Sequence, residues 1–145
     1  MLVPKIALPL MAGLSLSGCM TSGDAPIASN ASLVGVEWIV EDINGRRVID
    51  NARATLMFGA DGRLSGDTSC NRYFADYQVN GASLEFGHPG ATKRACVPAV
   101  MDQEQRFLEV LNAVDRYDID DTNALVLYTP VGDKITARRL TGSDE

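Results

Sequence analysis

A chain of 145 residues, 46% hydrophobic and 22% charged, has the composition of one soluble domain and too little length for two. Its net charge of −6 at pH 7 argues against recognising nucleic acid or an anionic surface through bulk electrostatics. A single histidine and three cysteines bound what acid–base, metal or thiol chemistry it could carry.

The N-terminus reads as a targeting segment. Lys5 precedes an apolar run from Ile6 to Leu16, too short to span a bilayer as a helix, and Pro4 and Pro9 argue against a helix of the mature fold. Leu16-Ser17-Gly18-Cys19 is similar to a bacterial lipobox: small residues admit the peptidase and the thiol accepts the lipid. The alternative is a plain signal peptide with a chance cysteine. The lipobox reading makes residues 1–18 a lipoprotein signal peptide and Cys19 an acylated N-terminus. Met20, in place of aspartate, resembles the sorting signal for the outer membrane, with the domain facing the periplasm. Residues 19–32 are small and polar, a flexible tether, and residues 141–145 form a disordered tail. Membrane attachment is then through lipid alone.

Between them, residues 33–140 carry strand signals broken by one helix. Val34, Val36, Trp38 and Val40 alternate with more polar residues, which turns Trp38 toward a core. After a turn at Asn44-Gly45 come strands at 54–58 and 63–69, joined at Asp61-Gly62. Strands at 73–79 and 83–86 flank Asn80-Gly81, the strongest hairpin signal in the chain. Gly87-His88-Pro89-Gly90 breaks the pattern. Pro98 suits a helix start, and Met101, Phe107, Leu108, Leu111 and Val114 recur at helical spacing. Three short strands follow, at 117–119, 125–128 and 134–140. The expected fold is α+β and mostly β: about eight antiparallel strands curled into a barrel or half-barrel, ordered five strands, one helix, three strands.

Trp38, the strand ending Leu64-Ser65-Gly66, Cys70-Asn71-Arg72-Tyr73, Tyr77, Thr92, Cys96, and Glu104-Gln105 with Phe107-Leu108 and Leu111 together resemble the META domain family, the group that includes HslJ-like heat-shock lipoproteins. The usual methionines before the second cysteine are replaced by Lys93-Arg94-Ala95. The resemblance implies a compact β-rich domain of the bacterial envelope, linked to stress, drug tolerance or secretion, with no established catalytic activity.

With Cys19 lipidated, Cys70 and Cys96 remain in an oxidising compartment, and a disulfide between them is the leading reading. A reactive thiol would need a cationic neighbour, for which Arg72 and Arg94 are at hand. His88 lies beside Pro89 in a loop, so a zinc site with Cys70 and Cys96 lacks motif spacing, and no metal or cofactor is expected. Gly66 and Asn71 read as backbone chemistry: a bulge or close approach for the glycine, left-handed backbone for the asparagine, whose amide could also bind a ligand. Thr92 could cap the turn before Cys96. Glu104 lies three, four and seven residues from Met101, Leu108 and Leu111, on or near the apolar face. It would need a partner there, with Arg72 and Arg94 as candidates, or it could reach water at the rim. Phe74 would face away from Tyr73 and Tyr77, as a potential exposed anchor.

These residues predict no catalytic set. The leading expectation is a non-enzymatic, lipid-anchored monomer that supports envelope stress or drug tolerance by binding an unidentified periplasmic protein or small ligand. The alternative is an inhibitor of a periplasmic hydrolase, acting through the disulfide-fixed hairpin 73–86.

Overall fold

The computed structural model describes residues 33–140. The expected signal peptide, Cys19, the tether and the C-terminal tail lie outside the described residues. In chain order the elements are β1 (Glu37–Ile43), β2 (Arg46–Arg47), β3 (Thr55–Phe58), β4 (Arg63–Asp67), β5 (Arg72–Asn80), β6 (Ser83–Phe86), β7 (Gly90–Ala91), α1 (Pro98–Ala113), β8 (Arg116–Ile119), β9 (Leu125–Tyr128) and β10 (Lys134–Arg139). Eight of these strands pair antiparallel in the order β1-β3-β4-β5-β6-β8-β9-β10, and β10 returns to β1. The sheet is thus a closed barrel, and the sequence of five barrel strands, one helix and three strands is the one expected. The two-residue strands β2 and β7 pair with β1 and β5, respectively, and were not foreseen.

The closing pair of strands, β1 and β10, contains a break in alternation. Trp38 and Val40 are buried, and strict alternation would send Asp42 inward after them. The β1–β10 register slips between Val40 and Asp42, so Ile43 turns into the core instead. The hairpin between β5 and β6 also sits one residue later than its sequence signal. Asn80 pairs with Ser83, leaving Gly81-Ala82 as the loop, and Gly81 takes φ 61 at the first loop position, where a type II′ turn places glycine.

Barrels of this size are filled by their own side chains. Here Trp38, Phe58, Tyr73, Leu56, Leu64, Leu84, Leu125, Leu127 and Ile135 occupy the interior. Helix α1 packs across the barrel, touching strands from opposite sides of the strand order. It contacts β6 on one side and β1 and β10 on the other, while the β6–β8 pairing itself is the single pair Ser83–Arg116. Among the described residues no side chain caps its N-terminus at Val97, and its first turn holds no acid. Packing therefore holds it. Phe107, Val110 and Leu111 are buried, with the Phe107 ring edge-on to Tyr73 at 5.3 Å. Burying one such side chain contributes about 1.5–3 kcal/mol. Met101, expected with them, is 46% exposed. It lies on a second stripe of the helix that faces out.

Candidate functional site

Gly66 fixes the geometry at the end of β4. It pairs in regular register with Tyr73, so there is no bulge, and a side-chain carbon there would lie 2.1 Å from the Thr55 carbonyl oxygen. Close approach is the reason for the glycine. The same carbonyl accepts the Tyr73 hydroxyl at 2.8 Å. Burial, and then the Asp67 charge, push the Tyr73 phenol well above its ordinary range, which keeps it a protonated donor.

Beyond β4 the chain turns through Thr68-Ser69-Cys70-Asn71. Ser69, rather than Asn71, takes the left-handed backbone, at φ 84. Two contacts hold it there: its hydroxyl donates to the Ala52 carbonyl at 2.6 Å and accepts from Gln103 Nε2 at 2.8 Å. Gln103 also accepts the Ile49 amide on Oε1 at 2.8 Å. Sequence reasoning overlooked Gln103, which is fully buried. The available signal was its place four residues before Phe107 and seven before Val110, on the inward stripe.

Asn71 is the hub. Its Oδ1 accepts the Arg94 amide at 2.6 Å and the Thr92 hydroxyl at 3.0 Å. Its Nδ2 donates to both Glu104 oxygens, at 3.0 and 2.9 Å, and reaches the Arg94 carbonyl at 3.4 Å. Only one orientation of the amide satisfies a carboxylate on one side and an N–H on the other. Thr68 Oγ1 donates to Glu104 and accepts the Asn71 amide at 2.9 Å. Glu104 therefore takes neutral donors, not the arginines considered from sequence. Arg94 sends its guanidinium to the Cys70 carbonyl at 2.9 Å, and Arg72 points outward to Asp67 at 4.0 Å. Thr92 serves this hub rather than a local turn: it also accepts the Arg72 amide at 3.2 Å.

Cys70 and Cys96 form a disulfide, with Cα atoms 5.9 Å apart. It ties the Asn71 turn to the segment that enters α1. Neither sulfur is then a free thiolate, and the hydrogen-bonding capacity of Asn71 is spent within the fold. No three His, Cys, Asp or Glu side chains among the described residues converge as a metal site.

What the cluster supports is a groove. Along the outward stripe of α1, an open groove of about 840 Å³ runs between Pro98, Met101, Leu108 and Asn112 on one side and His88 and Pro89 on the other. The half-buried Glu104 and the exposed Asp102, Gln105 and Glu109 also line it. His88 is exposed in a loop, as expected, yet it borders this groove. Phe74 is 63% exposed, its ring lying over Gly90, and is not part of the lining.

Residues 31–141 match the model of the META domain. The chain belongs to the META domain family. No curated protein matches it. Among solved structures, the META domain fold here is similar to an NMR structure of a protein from Burkholderia xenovorans, 23% identical, covering 96% of this chain and 99% of that one with a TM-score of 0.65. A crystal structure of a DUF4847 family protein from Bacteroides vulgatus is 17% identical, covering 79% of this chain and 99% of that one with a TM-score of 0.57. These likenesses concern the fold.

The Asn71 hub makes one sharp prediction about the META domain. Asn71→Asp keeps size and shape but sets an acceptor against Glu104. It should destabilise the domain more than Asn71→Ala at neutral pH, by about 1–3 kcal/mol. Urea midpoints of both variants at neutral pH test this; an aspartate variant as stable as the alanine variant would show that the two carboxylates do not meet.

Proposed function

We propose that the protein is a lipid-anchored envelope protein whose META domain faces the periplasm and which supports stress tolerance by binding rather than by catalysis. The groove along α1 carries the reading. It combines the apolar residues Pro89, Pro98, Met101 and Leu108 with a few polar groups, the composition of a binding site. Its lining residue Glu104 is held by Asn71 and Thr68, and the disulfide ties the Asn71 turn to the segment entering α1, which pre-organises the groove and lowers the cost of binding. The lipobox-like Leu16–Cys19 motif and the apolar run before it support the anchor. The family resemblance supports the stress role.

One experiment tests both halves. In a strain lacking the protein, Cys19→Ser should release the chain from the membrane fraction. Met101→Glu, an exposed position in the groove, should leave the chain anchored and folded but abolish its contribution to stress tolerance. Membrane retention of the serine variant would overturn the anchor, and full tolerance with the glutamate variant would overturn the groove.

A further inference from the structure

Helix α1 faces two ways. Gln103, Phe107, Val110 and Leu111 point inward, while Met101, Gln105, Leu108 and Asn112 recur at spacings of four, three and four along the groove. From Pro98 to Asn112 the axis rises about 21 Å. Six extended residues cover about the same distance. A drug-sized ligand is usually enclosed over most of its surface. This groove is more open than enclosed, which suits a chain rather than a compact molecule.

Its charge is one-sided. Asp102, Glu104 and Glu109 line it, and among the described residues of the lining there is no lysine or arginine. Asp102 is already paired with Arg106 at 3.2 Å. Glu109 accepts from the Gln105 amide at 2.9 Å, and among the described residues Glu104 takes the Asn71 amide and the Thr68 hydroxyl. Neutral donors orient these two carboxylates without cancelling their charge. The partial positive charge of the helix start, near Pro98, disfavours a cation at that end. The groove thus offers an apolar end at Pro98 and Met101 and an anionic stretch from Glu104 to Glu109.

We propose that the groove holds a linear peptide segment carrying both basic and apolar side chains, its basic groups at Glu104 and Glu109 and its apolar groups on Met101, Leu108 and Pro89. This rests on the reading of the groove as a binding site and names the chemistry of its occupant. Binding combines burial of apolar surface with charge pairing, so each component alone should be insufficient.

The probe is a fluorescein-labelled octapeptide of alternating lysine and leucine, followed by fluorescence anisotropy with the purified mature chain. Peptides of alternating lysine and serine, and of alternating serine and leucine, should each bind at least ~tenfold more weakly. Glu109→Lys and Leu108→Glu should each weaken the lysine–leucine peptide by a similar factor. Asp118→Lys, the same charge change at an exposed position outside the lining, should leave it unchanged. Circular dichroism checks that each variant is folded, and the exposed Glu109 serves if the half-buried Leu108 variant is not. Equal weakening by Asp118→Lys would reduce the effect to bulk charge and overturn the proposal. Equal binding of the serine–leucine peptide, or no binding of any peptide, would overturn it as well. Loss of stress tolerance with Met101→Glu alongside such a failure would leave the binding reading standing and discard only this occupant.

Discussion

Gly66→Ala should cost the domain about 3 kcal/mol or more, at or beyond the upper end of what overpacking normally costs. The added carbon would sit 2.1 Å from the Thr55 carbonyl oxygen and 3.0 Å from a ring carbon of Tyr73. Neither can yield easily. The Thr55 carbonyl is held by the Tyr73 hydroxyl, and the Thr55 hydroxyl accepts the Asp67 amide at 3.0 Å, so β3, β4 and β5 are fixed together at this point. Chemical denaturation of the mature chain measures the loss. Ser65→Ala, at the exposed neighbour, should stay within about 0.5 kcal/mol of the parent. A Gly66→Ala variant as stable as that control would mean that the strands part at little cost.

The second large effect belongs to the disulfide. Replacing both Cys70 and Cys96 by serine should lower stability by about 3.5 kcal/mol, the chain-entropy value for a closed loop of this length. The sequence separation is 26, and the loop contains β5, β6 and β7. In a domain of ordinary stability that is a large fraction of the total. Added reductant should bring the parent chain down to the double variant and leave the variant itself unmoved. A parent whose midpoint ignores reductant at full reduction would contradict the assignment of stability to this bond. The hydrogen bonds of Asn71 to Arg94 and Glu104 bridge the same two segments, so the double variant should keep its barrel under native conditions.

The barrel was legible in the sequence because its signals are local and periodic. Val40 and Trp38 alternate, Asp61-Gly62 and Asn80-Gly81 mark turns, and Phe107 and Leu111 recur on one helical stripe. Closure of β10 onto β1 was not legible, since no residue pattern encodes which distant edges meet. The Glu41-centred slip in register within that closing pair, which turns Ile43 into the core, was likewise not legible. At the candidate site, Cys70, Asn71, Thr92, Arg94 and Glu104 were each singled out from sequence, and the structure brings them together. Their partners could not be assigned from charge. An arginine was the natural guess for Glu104, but the side chain that reaches it is the uncharged Asn71, because the guanidinium of Arg94 is committed to a backbone carbonyl. Met101 was misplaced for a related reason: helical spacing gives a face, and this helix has two.

The pairing of β1 with β10 also sets an order of events for the newly made chain. Trp38 lies opposite Arg139, so the edge of β1 finds its partner only when nearly the whole domain is present. A chain that emerges N-terminus first must keep that edge unpaired until its last strand arrives. Contacts so distant in sequence make folding slow, on a scale of milliseconds to seconds. During that interval Trp38, Val40 and Ile43 have no wall on that side, and an unpaired apolar edge is a target for misassociation. Truncation within 134–139 should therefore be far more damaging to soluble yield than its short length suggests, whereas the hydrogen bond from the Leu140 amide to the Glu37 carbonyl marks the moment the seam is complete.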